Sequence, residues 1–101
     1  ALAPAAVHLV ALNLEDAEVA HAADALYAAL RADGIPVLFD DRDARAGDKF
    51  AGADLLGLPV VLTLSRRTHH AGELELQIRG GEREALPREE ALSRLRMHLG
   101  A

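Results

Sequence analysis

The chain has 101 residues, of which half are apolar and only 3% are aromatic, and its formal net charge is −5. This length fits one domain with an aliphatic core, and the absence of cysteine excludes disulfides and thiolate metal sites. Because no apolar run spans a bilayer and no secretory leader opens the chain, we expect a cytoplasmic domain. The acidic net charge argues against a general nucleic-acid binder without excluding a site-specific one.

The chain begins with a predicted strand and helix. Residues 1–6 are typical of a linker remnant, and the apolar residues 7–12 predict a strand that is buried on both faces. Asn13 or Asp16 can cap the helix that follows. Apolar side chains recur along this helix at steps of three and four residues and predict its buried stripe: Val19, Ala22, Ala23, Leu26 and Leu30.

A charged loop separates the second predicted strand from the second predicted helix. Gly34 ends the first helix, and the apolar residues 37–39 predict a strand that stops at the charged residues 40–45. An amphipathic helix is predicted over residues 47–56. Strand ends, loops and helix N-termini converge at the ligand-binding edge of open α/β sheets. We therefore expect the functional site at residues 37–57.

The second half of the chain predicts a mixed sheet. Residues 60–64 are β-branched and apolar, and two successive strand–helix–strand crossovers make the first three strands parallel. Residues 65–72, which include a second basic pair, are polar and are interpreted as a loop. Strict alternation over residues 73–79 predicts a fourth strand with one solvent-exposed face.

A hairpin and a helix complete the predicted fold. Gly80 and Gly81 fit a two-residue turn into a fifth strand at residues 82–86, so strand four is antiparallel to both of its sequence neighbours. Pro87 suits the first position of the last helix. We predict a single three-layer α/β/α domain over residues 1–101, with three helices and a mixed five-stranded sheet in which strand one lies between strands two and three.

The sequence favours recognition over catalysis. Neither Ser65 nor Ser93 lies on a nucleophile elbow, no glycine-rich phosphate motif is present, and the adjacent His69 and His70 have no third metal ligand nearby. Three aspartates at residues 40–43 could hold magnesium, but interleaved arginines compete for them. We predict no catalytic residue and no metal site in this chain.

The central loop has the side chains that a base-recognition site needs. A carboxylate can accept hydrogen bonds from both donors on the Watson–Crick edge of guanine, while a neighbouring Lys or Arg donates to the carbonyl. Arg42, Arg45 and the helix amides can hold phosphates. The alternative is purely structural, with Asp40 and Asp41 capping the loop and pairing with the arginines.

Residues 40–59, DDRDARAGDKFAGADLLGLP, carry a resemblance to a known family. They resemble the anticodon-binding domain of class II aminoacyl-tRNA synthetases, and most closely its version in bacterial prolyl-tRNA synthetases. The similarity extends over nearly the whole chain. It implies a three-layer fold with strand order 2-1-3-4-5 and strand four antiparallel. Asp48 and Ala46 depart from the family pattern, which usually has an apolar residue and Pro at these positions.

The resemblance implies recognition of a tRNA anticodon stem-loop by the C-terminal domain of a synthetase. The chain alone is then non-catalytic but part of an ATP-dependent ligase. Its partners are the tRNA and the catalytic domain of the same enzyme. No membrane contact is expected, and oligomers would form only through the full-length enzyme. No cofactor is expected in this domain, because ATP and Mg would bind the catalytic domain. The implied nucleic-acid-binding residues are Asp41, Arg42, Arg45, Lys49, Phe50 and Asp54.

The roles implied for these residues differ. Arg42, Arg45 and Lys49 would contact phosphates or guanine carbonyls, with the Lys49 ammonium at the mouth of the site. Asp41 and Asp54 would accept from guanine, and Phe50 would either stack a base or lie buried in the core. Two alternatives remain open: a stand-alone homologue that acts as a protein-interaction or regulatory subunit, and a flavodoxin-like small-molecule domain. A catalytic domain encoded upstream would discriminate the synthetase domain from the stand-alone homologue, and the absence of a glycine-rich loop after Leu12 counts against the flavodoxin-like domain.

Overall fold

The computed structural model describes residues 6–40, 48–49, 52 and 57–99. The helices and strands within these ranges are β1 (Val7–Ala11), α1 (Ala17–Ala32), β2 (Val37–Asp40), β3 (Val60–Leu64), α2 (Arg66–Ala71), β4 (Glu73–Ile78), β5 (Glu84–Pro87) and α3 (Arg88–Leu99). Asp48, Lys49 and Gly52 also have helical backbone, while the bounds predicted for a helix over residues 47–56 lie outside the described residues. None of the described helices is long and apolar enough to cross a membrane.

The sheet confirms the predicted α/β class and topology. Its five strands have the order β2-β1-β3-β4-β5. β1 pairs in parallel with β2 and with β3, so that Val7 lies beside Val37 on one side and beside Val60 on the other. β4 is antiparallel to β3 and to β5. Strand β1 is therefore central to the parallel part of the sheet, as the strand–helix–strand pattern predicts.

One side of the sheet, the aliphatic face, packs against α1 and α3. Alternate residues of three strands, β1, β3 and β4, form it, because successive side chains in a strand point to opposite faces. These residues are Val7, Leu9, Ala11, Val60, Leu62, Leu64, Leu74 and Leu76, and they belong to one buried cluster with the predicted stripe of α1 and with Ala91 and Leu95 of α3. Burial of this aliphatic surface is the main free-energy source of folding.

The opposite side, the polar face, carries hydrogen-bonding side chains. Residues that alternate with the aliphatic set include His8, Thr63, Glu75 and Gln77, and the strand register places Thr63 beside Glu75. His8 and Thr63 are almost completely buried. The continuous apolar pattern of β1 thus conceals a buried histidine, as expected for a strand covered on both sides.

Helix α1 begins and ends as the sequence predicts. The Asp16 carboxylate accepts a hydrogen bond from the Glu18 backbone N–H at 3.0 Å and caps the N-terminus. At the other end, Gly34 has a φ of 78°. Its N–H donates to the Arg31 carbonyl, while that of Ile35 donates to Leu30. Glycine adopts this left-handed conformation without the steric cost of a Cβ atom, which explains its position after the helix.

The interpretation of residues 65–72 as a loop is wrong, because they include helix α2. The Ser65 hydroxyl accepts from the Thr68 backbone N–H while the Thr68 hydroxyl accepts from Ser65, which forms a reciprocal cap. Gly72, at a φ of 70°, ends the helix. The buried residue of this short helix is Thr68, so the segment lacks the apolar periodicity by which helices are recognised in sequences.

The connection between β4 and β5 is longer than the predicted two-residue turn. The Gly81 N–H donates to the Ile78 carbonyl at 2.8 Å, and Gly80 has a φ of 86°, so Arg79 and Gly80 are the central residues of the turn. β5 therefore begins at Glu84 rather than at residue 82. Pro87 belongs to the end of β5, and α3 starts at the next residue.

Candidate functional site

The carboxyl ends of β1, β2 and β3 lie together at one edge of the sheet, which we call the carboxyl edge. The three strands are parallel, so the chain leaves them on the same side, after Ala11, Asp40 and Leu64. Asp40 is buried in β2 beside Val10. This is the edge at which α/β sheets bind ligands, and the sequence analysis places the functional site there.

Lys49 is the predicted site residue that the structure describes. Its side chain is only 2% exposed, and its Nζ donates a hydrogen bond of 2.6 Å to the backbone carbonyl of Ala11. This position differs from the surface ammonium that we expected at the mouth of the site. That expectation came from the position of Lys49 in the first turn of the predicted helix, whereas here a strand carbonyl supplies a buried acceptor. The other predicted residues lie outside the described residues: Asp41, Arg42, Arg45, Phe50 and Asp54.

Arg66 joins the loop after β1 to the start of α2. Its backbone N–H donates to Asn13 Oδ1 at 3.0 Å, and Asn13 itself has a left-handed φ of 58°. The Arg66 guanidinium contacts Asp16 at 3.1 Å and Glu15 at 3.2 Å. The hydrogen bond from Arg66 is the largest cause of a pKa below the ordinary value for the Asp16 carboxyl, and the N-cap bonds act in the same direction. Arg66 thus links two loops of the carboxyl edge.

A second group of charged residues lies on the polar face next to this edge. Glu75 of β4 is 15% exposed, and its carboxylate accepts from Arg67 Nη2 at 2.7 Å and lies 3.6 Å from Arg83 Nη1. The Arg67 side chain is 70% exposed, so guanidinium donors that Glu75 does not use face solvent. Two guanidiniums held by one carboxylate can donate to a phosphate or to a base carbonyl.

Sequence reasoning missed this group, although one signal was present. Glu75 occupies a position on the solvent-facing side of the predicted strand, where a charge needs no explanation. The signal was the occurrence of arginines in both of the segments that flank β4, among them Arg67 and Arg83. Their convergence on Glu75 requires α2 and the longer β4–β5 connection, and neither was predicted.

Comparison with known proteins decides the family. The family model described as "Anticodon binding domain" matches residues 6–98. Three bacterial proteins named Proline--tRNA ligase are similar to the chain: that of Geobacter metallireducens is 46% identical over 90% of it, that of Exiguobacterium sibiricum 45% over 95%, and that of Syntrophotalea carbinolica 47% over 94%. The chain belongs to the anticodon-binding domain family. It spans only 16–17% of the length of these relatives.

Family membership confirms the resemblance inferred from residues 40–59, and the sheet order agrees with the fold which that resemblance implies. In this anticodon-binding domain, the described part of the candidate site consists of the carboxyl edge with Lys49 and Arg66 and of the adjoining polar face with the Arg67–Glu75–Arg83 group. The two parts are close in the sheet, because Thr63, which precedes the last residue of β3, lies beside Glu75 in β4.

Proposed function

We propose that this anticodon-binding domain is the C-terminal tRNA-recognition domain of a proline–tRNA ligase and that it binds the anticodon stem-loop without catalysing a reaction itself. The observation that carries the proposal is similarity over at least nine-tenths of the chain to proteins named for that activity, each roughly six times longer than the chain. The remaining length of such a protein would supply the catalytic domain, which would bind ATP and Mg. The expected location of that enzyme is the cytoplasm.

The charged surface supports binding of a folded RNA. Arg67 presents exposed donors on the polar face, and the carboxyl edge precedes the segment with the predicted RNA contacts in the chain. Within that segment we propose Arg42 and Arg45 for phosphates, Asp41 and Asp54 for guanine, and Phe50 as a further contact. Few cations are available in a chain of net charge −5, so binding should be weak and should fall steeply as salt increases.

Titration of two RNA stem-loops tests the proposal. One carries a proline anticodon, and the other has the anticodon guanines replaced. The 101-residue chain should bind the first more tightly, because each base recognised by a good pair of hydrogen bonds contributes about 1–3 kcal/mol of discrimination. Equal affinity for both RNAs would contradict anticodon recognition by this domain.

Matched variants locate the base contacts. Asp41→Asn and Asp54→Asn each keep the size of the side chain, and a residue that accepts from guanine should lose about 1–3 kcal/mol with the guanine RNA and little with the other. Glu89→Gln, at an exposed position in the first turn of α3, makes the same chemical change as a control. If an aspartate variant loses the same affinity for both RNAs, that aspartate does not recognise a base.

The stand-alone regulatory homologue considered from the sequence is not favoured. The relatives described above are named as ligases, and the chain matches a small part of each of them.

A further inference from the structure

Lys49 is the only lysine of the chain, whose other basic side chains, apart from histidine, are all arginines. Lysine is among the residues that are least often fully buried, and it is buried only where a partner compensates the loss of water. Here the side chain is 2% exposed, and the partner is a backbone carbonyl. A surface role, which would suit any flexible cation, does not explain this position.

The acceptor of this hydrogen bond is the end of the central strand. Ala11 is the last residue of β1 and lies beside Leu64 of β3, while the preceding residue, Val10, lies beside Asp40 of β2. The bond connects Lys49 to a residue 38 positions earlier in the chain. It therefore ties the helical backbone at residues 48–49 to the point at which the carboxyl ends of three strands meet.

The geometry favours lysine over arginine at this position. A lysine ammonium is a compact donor on a flexible stem, whereas the planar guanidinium carries five N–H donors in a fixed fork. One buried carbonyl can satisfy a lysine ammonium more easily than an arginine guanidinium. Arginine is the better residue for bidentate contact with phosphate. The one lysine thus occurs where a strand carbonyl is an acceptor, and arginines supply the exposed cations at Arg66 and Arg67.

We propose that Lys49 is a positioning residue. By holding the Ala11 carbonyl, it fixes the helical backbone at Asp48 and Lys49 against the end of β1, and so sets the shape of the carboxyl edge that receives RNA. It does not contact a phosphate. The part of this inference that concerns RNA rests on the proposed function, whereas the anchoring of the segment does not.

Chemical acylation tests the anchoring without RNA. Because the chain has one lysine, treatment with an amine-reactive acetyl ester followed by peptide mass spectrometry reports on Lys49 alone, with the α-amine as an internal reference. We expect Lys49 to react at least about tenfold more slowly than a lysine placed on the surface of α1 by Arg31→Lys, since a buried, hydrogen-bonded amine is shielded from the reagent. Reaction at the same rate as the surface lysine would overturn the anchoring.

Two variants separate positioning from phosphate contact. Lys49→Met removes the hydrogen-bond donor, whereas Lys49→Arg keeps the charge but replaces the compact ammonium with a planar guanidinium. If Lys49 positions the edge, both should weaken stem-loop binding by about tenfold, as a lost interaction of about 1.4 kcal/mol does, with the salt dependence unchanged. If it contacts a phosphate, Lys49→Arg should retain affinity, and Lys49→Met should flatten the salt slope by about 0.7–1 unit. Retained affinity in Lys49→Arg together with a flattened salt slope in Lys49→Met would overturn the proposal. Unchanged affinity in both variants would also overturn it.

A further measurement tests the role of Lys49 in RNA binding without the variants. Lysine labelled with ¹³C at Cε gives one NMR signal in this chain. We expect it to move little when the stem-loop is added, while signals from exposed arginine side chains move more. A large shift confined to Lys49 would overturn the proposal. If the unmodified chain binds neither stem-loop, the proposed function fails, and the acylation rate still decides whether Lys49 anchors the segment.

Discussion

The two faces of the sheet are built from the same strands and have opposite character. Leu62 and Thr63 are neighbours in β3, and both are buried. Leu62 belongs to the aliphatic cluster that joins the sheet to α1 and α3. Thr63 lies between Val10 of β1 and Glu75 of β4, and its Oγ1 has no hydrogen-bond partner within the part of the chain that the structure describes. The difference shows that one face is an aliphatic cluster whose burial stabilises the fold, while the other also buries polar side chains.

The largest expected effect comes from the aliphatic face. Leu62→Ala should lower the free energy of unfolding by about 2–5 kcal/mol, because it removes transfer free energy and leaves a cavity in a closely packed core. Urea unfolding followed by circular dichroism measures the change. A loss below about 1 kcal/mol would show that the aliphatic cluster can collapse around the deletion, and the contrast between the faces would then fail.

Thr63→Val is the matched control in the same strand. It exchanges the buried hydroxyl for a methyl group of similar size, and removal of an unsatisfied polar group is nearly neutral or stabilising. We expect the free energy of unfolding to stay the same or to rise by as much as about 1 kcal/mol. A clear destabilisation would indicate that the hydroxyl has a partner after all.

A smaller effect is expected at the charged group of the polar face. Glu75→Gln should lower the free energy of unfolding by about 1 kcal/mol, since the carboxylate is largely buried but Arg67 is mostly in water, which screens the pair. Glu84→Gln breaks the ion pair with Arg94, in which both side chains are about half exposed, and should change stability by less than about 0.5 kcal/mol. Similar losses in the two variants would show that Glu75 is an ordinary surface charge.

The smallest expected effect is the pH-dependent contribution of Asp16, at the carboxyl edge, to the stability of the fold. Because Arg66 and the N-cap bonds lower the pKa of Asp16 in the folded chain, its carboxylate stabilises the fold at pH values above its ordinary pKa of 3.8. That contribution is lost as the pH falls through the lower folded-state pKa. Asp16→Asn retains a cap but not the charge. It should therefore destabilise the chain at neutral pH and have little effect in acid.

Urea midpoints of the two proteins, compared at neutral pH and at a pH well below 3.8, measure this difference. A constant difference at both pH values would mean that the hydrogen bonds of the cap, rather than the charge on Asp16, provide the stabilisation.

Most of the fold could be predicted from local patterns. Apolar runs of strand length, helical spacing and the alternation in β4 define the strands and their directions, because each reflects which faces are buried. Helix α2 could not be found in this way, since Thr68 is its buried residue and its stability comes from caps at Ser65 and Gly72. The Ser65-x-x-Thr68 spacing before a glycine was a local signal, but it is a weak one in a polar segment.

Less of the candidate site could be predicted. The carboxyl edge follows from parallel strands, and the resemblance in residues 40–59 indicates the family. The environment of single charged residues does not follow from sequence patterns. Lys49 and Arg67 are both cations with helical backbone, yet Lys49 is buried and donates to a carbonyl, whereas Arg67 is exposed and donates to a carboxylate. Tertiary contacts between distant segments decide which charge enters the core.

The central place of β1 also has a consequence for the kinetics of folding. β1 is synthesised before both of its neighbours, and its pairing joins Val7 to Val37 and to Val60, far later in the chain. Until β3 has been made, one side of β1 can hydrogen-bond only to water or to other chains. The β4–β5 hairpin, by contrast, closes over a short loop. Since closing long loops is entropically costly and slows folding, the arrival of β3 should limit the rate at which the nascent chain folds and loses its tendency to aggregate.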